Sequence, residues 1–139
     1  MMENKKVKQY MSARPLSLTA DMSLSAALDQ FITSQHIGGP VVNEQREVIG
    51  FISEQDLIKS LLGVSYHCQD THVVGDVMRQ DVLTVTPEDN IIELAQSMTA
   101  DKPKIYPVVD GGKLVGIITR RNVLQAISES IGHCFKHPV

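Results

Sequence analysis

One phrase is written twice in this chain, as Gly50-Phe51-Ile52-Ser53-Glu54-Gln55-Asp56 and as Gly116-Ile117-Ile118-Thr119-Arg120-Arg121-Asn122. The surroundings match too. With Val7 set on Val74, Met11 falls on Met78, Leu16 on Leu83, Thr19 on Thr86, and Pro40-Val41-Val42 on Pro107-Val108-Val109. A one-residue difference in the next turn then brings Gly50 onto Gly116. Internal repetition constrains a fold strongly, because each copy is one supersecondary unit and neighbouring copies bury faces that neither buries alone. The copies span 7–63 and 74–130, with 64–73 as linker and 131–139 as a C-terminal tail.

Each copy reads β-α-β-β-α. Short extended pieces, Pro15–Thr19 and Val82–Thr86, open them. Leu24, Ala27, Leu28, Phe31 and Ile32 then recur at helical spacing, as do Ile91, Leu94, Ala95 and Met98. Asn90 with Glu93 three residues on resembles a capping box. Two strands follow, around the polar turn Glu44–Glu47 in one copy and Gly111-Gly112 in the other, the stronger hairpin signal. A last helix carries Leu57, Ile58, Leu61 and Leu62, matched by Val123, Leu124 and Ile127. A single copy is too short to be more than marginally stable. The expected fold is α/β (α+β), two repeats packed sheet to sheet with pseudo-twofold symmetry.

Composition narrows the class. The chain has 139 residues, 42% of them hydrophobic, and no Trp, so Val, Ile, Leu and Met must fill the core. A net charge of −3 argues against a broad nucleic-acid surface. No apolar run reaches the roughly 18 residues of a membrane span. The opening Met-Met-Glu-Asn-Lys-Lys lacks the apolar stretch of a secretory signal. Cys68 and Cys134 read most simply as free thiols of a reducing cytosol, with a disulfide as the alternative. The expected location is cytoplasmic.

The chain resembles a tandem pair of cystathionine-beta-synthase (CBS) domains, a Bateman module. The carriers are Pro-Val-Val before a hairpin and Gly-apolar-apolar-Ser/Thr-x-x-Asp/Asn opening a helix, twice and in register. The resemblance implies a regulatory module that is not itself a catalyst. It implies binding of an adenosine-bearing ligand between repeats, a homodimer, and a regulated partner. It also places the base between the early extended piece and the strand around Pro-Val-Val. Here that gives Leu16, Ser17, Leu83, Thr84, Ile105, Tyr106 and Pro107. Tyr106 would stack on a base or pack between helices with its hydroxyl at the rim.

The polar residues of the phrase have a plain reading and a functional one. Ser53 with Asp56 three residues on suits the start of any helix. A helix N-terminus is also an anion site. A hydroxyl there meets phosphate, and an acid one turn inside accepts both hydroxyls of a ribose. Thr119 and Asn122 stand at the matching places. Arg120 and Arg121 work against the helix dipole but suit phosphate oxygens. Lys102 and Lys104 are placed to join them. Glu54 would repel phosphate, and Gly38-Gly39 stand before Pro40 in the first copy, where many members of the family carry bulkier or basic residues. One competent site and one weak or empty one are therefore expected, without a firm choice between them.

His67, Cys68 and His72, and His133, Cys134 and His137, are two His/Cys clusters. They lie in linker and tail, with Gly132 expected to end the last helix, so no metal site is assigned. No nucleophile and base are convincingly paired, and no catalytic residue is assigned. The expected function is binding of AMP or ATP and signalling to an unnamed partner. The alternatives are a structural dimerisation module with ligand-free sites, and a sensor of S-adenosylmethionine or NAD.

Overall fold

A computed structural model describes residues 4–67, 72–100 and 102–134. A 3-10 turn at Val7–Gln9 is followed by β1 (Leu18–Thr19), α1 (Leu24–Ser34), β2 (Gly38–Val42), β3 (Val48–Ser53) and α2 (Glu54–His67). Then come α3 (Val74–Val77), α4 (Ile91–Met98), β4 (Ile105–Asp110), β5 (Lys113–Thr119) and α5 (Arg120–Cys134). The chain divides into two compact units. The first-repeat unit comprises 15–82 with 111–114; the second-repeat unit comprises the described parts of 1–14, 83–110 and 115–139.

The leading segments are exchanged: the start of each copy belongs to the unit of the other. In the first-repeat unit Val74 N–H donates to the Met22 carbonyl at 2.8 Å and Gly75 N–H to Ala20 at 2.9 Å. Arg79 exchanges both backbone hydrogen bonds with Phe51. In the second-repeat unit the matched residues do the same: Val7 to Asp89, Lys8 to Pro87, and Ser12 in both directions with Ile117. This explains the glycine that opens the repeated phrase. A Cβ on Gly50 would collide with Met78 Sδ, and one on Gly116 would lie 2.5 Å from the Ser12 carbonyl oxygen.

In the first-repeat unit β2 is central, parallel to β1 (Leu18 opposite Val41) and antiparallel to β3 (Gly39 opposite Ile52). A proline in a central strand forfeits a ladder bond. Pro40 escapes this. Phe51, opposite it, gives both backbone groups to Arg79, and β1 pairing starts only at Val41. Leu18, Leu24, Ala27, Val41, Ile52 and Val74 fill the core. Such side chains contribute about 1.5–3 kcal/mol each when fully buried. Asn43 Oδ1 accepts the N–H groups of Gln45 and Glu47, closing the turn, and Arg46 takes a φ of 62°.

In the second-repeat unit β4 pairs with β5, and Val85 adds a parallel bridge to Val108. Gly111 and Gly112, at φ 60° and 81°, supply the left-handed conformations that a tight hairpin turn requires. Val7, Ile91, Val108, Ile118 and Ala126 form this core. Asn90 caps α4, its Oδ1 accepting from the Ile92 and Glu93 N–H groups.

Some elements depart from the sequence reading. The extended piece Pro15–Thr19 is strand only at Leu18–Thr19, and Val82–Thr86 keeps one bridge. Ile32, Ile58, Leu62 and Leu124 are 67, 59, 67 and 63% exposed. Each lies one position past a buried or half-buried neighbour, about 100° around the helix and off the inward face. Gly132 does not end the last helix, which runs to Cys134. Among the described residues no helix is long and apolar enough to cross a membrane.

Candidate functional site

Each repeated phrase ends a strand and starts a helix. In the first-repeat unit Ser53 Oγ accepts the Asp56 N–H and Asp56 Oδ2 accepts the Ser53 N–H, both at 3.1 Å. This is a reciprocal cap, with Asp in the place of Glu. In the second-repeat unit Thr119 Oγ1 accepts the Asn122 N–H at 3.2 Å, and Asn122 Oδ1 accepts the Thr119 N–H at 2.9 Å. The Thr119 hydroxyl also donates to Asn122 Oδ1. Both phrases are therefore helix starts, and the groups they leave over are what a ligand could use.

The leftovers differ between the copies. Asp56 is gripped by Arg79, whose Nε reaches Oδ2 at 3.0 Å and whose Nη2 reaches Oδ1 at 3.1 Å. Burial works to raise the Asp56 pKa, but the guanidinium and the Ser53 N–H and hydroxyl outweigh it and hold the carboxyl below its ordinary value. Arg79 was not foreseen from the sequence, because it lies outside the phrase, in the exchanged segment. Leu16 is buried against Gly39, and the Phe51 ring lies over Gly38. The place that the resemblance gives to the base is thus narrowed by this unit's own side chains. Ser17, beside Leu16, is half-buried.

The second-repeat unit is open at the matching place. Leu83, the counterpart of Leu16, is 47% exposed. A cavity of about 350 Å³ lies beside it. Leu83, Thr84, Lys102 and Tyr106 line it, all named from the sequence as site candidates, together with Asn90, the cap of α4, and Glu93 and Ser97 of α4, which were not. Tyr106 is 3% exposed, and its hydroxyl is buried without a hydrogen-bond partner among the described residues. Burial raises its pKa, against the opposing charge of Arg120. Buried hydroxyls are normally paired, so an unpartnered one on a residue that lines a cavity is a group a ligand or water could complete. Tyr106 packs in the helix-side core with Ile91 and Met98, so the core role and the site role coexist.

The other second-copy candidates, Lys104, Ile105, Pro107, Thr119, Arg120, Arg121 and Asn122, belong to this unit but do not line the cavity. Arg120 N–H donates to the Lys104 carbonyl at 3.1 Å, and its Nη2 lies 3.5 Å from the Met98 carbonyl. Arg121 and Lys104 are exposed, and among the described residues their side chains make no hydrogen bond or ion pair. Ile105 and Pro107 are buried in β4. Sequence alone could have found α4: its Glu93 and Ser97 are i, i+4 neighbours on the face beside Asn90. For the His/Cys clusters, Cys68 and His137 lie outside the described residues. Among the described residues no group of three or more His, Cys, Asp or Glu is placed to hold a metal.

The CBS domain family model matches residues 7–63 and 74–129. The chain belongs to the CBS-domain family and carries two copies. It is 29% identical over 124 residues to an uncharacterized protein, MJ1225, of Methanocaldococcus jannaschii, covering 89% of this chain and 43% of that one. It is also 29% identical over 126 residues to the A-adding tRNA nucleotidyltransferase of Aquifex aeolicus, covering 91% of this chain and 15% of the enzyme. The chain thus spans less than half the length of these relatives. Among solved structures, Arabidopsis thaliana CBSX2 in complex with AMP superposes with a TM-score of 0.77 at 28% identity, covering 91% of this chain and 98% of that one.

Proposed function

We propose that the chain is a regulatory ligand-binding module whose second-repeat unit takes an adenosine nucleotide, AMP first and ATP next. One observation carries the reading: a cavity of about 350 Å³ lined by Leu83, Thr84, Lys102 and Tyr106, whose buried hydroxyl has no partner among the described residues. The Arg120-Arg121 helix start of the same unit offers the phosphate grip, and Thr119-Asn122 the ribose contact. The AMP complex of CBSX2 supports the choice of ligand class. The family's homodimer belongs to the same proposal, with exposed Ile58 and Leu62 on α2 and Leu124 on α5 as apolar surface for it. Output then requires a partner or assembly that meets liganded and free states with different affinity.

The test is melting and calorimetry with AMP, ATP, S-adenosylmethionine and NAD, one at a time. A ligand at a hundred times its Kd stabilises by about 2.7 kcal/mol, or roughly 5–10 °C for a chain of this size. One AMP per chain is expected. Replacing Arg120 and Arg121 with Ala should weaken AMP far more than S-adenosylmethionine, which has no phosphate. Equal losses refute the phosphate role, and no shift with any ligand at millimolar concentration refutes the sensor reading.

A further inference from the structure

Resting on the nucleotide reading above, we infer that Arg79 is the residue that closes the first-repeat unit to a ribose, by occupying the Asp56 carboxylate. An ionised carboxylate offers about four lone-pair sites across two oxygens. In Asp56 one oxygen accepts the Ser53 N–H and Arg79 Nε, and the other faces Arg79 Nη2 at 3.1 Å and Nε at 3.3 Å. The fork engages both oxygens, the acceptors that the two hydroxyls of a ribose would have to use. Paired Arg–carboxylate forks are the strong form of charge-assisted hydrogen bonding.

The guanidinium is delivered from a fixed base. Arg79 N–H and carbonyl are both bonded to Phe51 at 2.8 Å, and Met78 beside it packs over Gly50. The second-repeat unit uses the same backbone pairing with a different outcome. Ser12 holds Ile117 in both directions, so the residue matched to Arg79 is a short hydroxyl. Asn122, matched to Asp56, has no charge for a cation to pair with, and its Oδ1 is turned to Thr119. The two copies thus differ at a coupled pair, Arg79 with Asp56 against Ser12 with Asn122. The acid better suited to ribose is the one that is covered.

The experiment is calorimetry of the full chain and its Arg79→Ser variant with AMP and with 2′,3′-dideoxy-AMP. Removing a cation should weaken an anionic ligand by charge alone. A gain in affinity therefore isolates the freed carboxylate. The wild-type chain is expected to take one AMP tightly. Arg79→Ser should take a second at least about tenfold more tightly than wild type does, the scale of 1.4 kcal/mol. The dideoxy analogue should show no such gain, and adding Asp56→Asn should abolish it. Arg79→Lys, which keeps charge but not the fork, guards against a variant that merely loosens the unit and should fall between. One AMP in both wild type and Arg79→Ser overturns the closure and leaves the nucleotide reading standing. Two tight sites in wild type also overturn it. No AMP bound by either protein removes the nucleotide reading itself, and this inference with it.

Discussion

Tyr106→Phe separates two consequences of one hydroxyl. Tyr106 lines a cavity of about 350 Å³, and its phenol oxygen is buried with no partner among the described residues. Burying a hydroxyl without a hydrogen bond costs about 1–3 kcal/mol on protein mutational scales. Phe keeps the ring packed against Ile91, Met98 and Val108 and removes only that cost. The ligand-free variant should therefore be more stable than wild type by about 1 kcal/mol, or roughly 2–4 °C in Tm. If AMP completes the hydroxyl, the variant loses a hydrogen bond worth about 0.5–1.5 kcal/mol net, which is roughly two- to thirteen-fold in Kd. Higher Tm without ligand and weaker AMP binding are expected together, read by calorimetry and thermal melting. A variant that melts lower refutes the unpartnered hydroxyl. Unchanged AMP affinity refutes its place in the site.

Three further outcomes follow from other parts of the molecule. Gly116→Ala should destabilise by about 2–4 kcal/mol in urea unfolding, since a Cβ there meets the Ser12 carbonyl held in a two-way pair with Ile117. Gly50→Ala should cost less, because the nearest obstacle is the flexible Met78 side chain. The Asp56 pKa is held below its unfolded value of 3.8, so its contribution to stability is present at neutral pH and disappears as pH falls through the folded value. Arg79→Ser should shrink that acid-limb loss in melts between pH 5 and pH 2, and an unchanged limb would show that the pair is not what holds the carboxyl ionised. Under the proposed homodimer, the double variant Ile58→Asp, Leu124→Asp should leave the melting temperature near wild type and shift sedimentation from dimer to monomer; a monomeric wild type or a dimeric variant refutes that surface.

Much of the fold was legible because repetition doubles every signal. Ser53 to Asp56 and Thr119 to Asn122 are weak capping patterns alone, yet both cap as written. Gly111-Gly112 could be read as a hairpin because only glycine takes two positive φ values cheaply. The outer helix faces were less legible. A run such as Leu57, Ile58, Leu61, Leu62 fits two adjacent faces of a 3.6-residue helix, and only packing tells that Leu57 is buried and Ile58 is not. The exchange of leading segments was invisible for a deeper reason. Two copies of one pattern present similar docking places, so local pattern cannot say whether Val7 belongs with its own copy or the other.

The unequal sites were half legible, and the half that was missed explains the half that was seen. Gly38-Gly39 and Glu54 signalled a difference in the first copy, but not what the glycines admit. The structure answers with Leu16 seated on Gly39, where the second copy has Tyr106 and an exposed Leu83 beside a cavity. Gly39 leaves room for the early leucine to sink in the first copy, whereas in the second Tyr106 is the buried residue and Leu83 the exposed one. Arg79 acts in the same direction from the exchanged segment, reaching the Asp56 carboxylate, whereas the second copy has the short Ser12 and the uncharged Asn122 at those places. Neither change disturbs the caps, the hairpins or the glycine that admits the neighbouring methionine. Duplicating the scaffold therefore fixes two similar places, and a few side chains outside the repeated phrase decide which of them stays open.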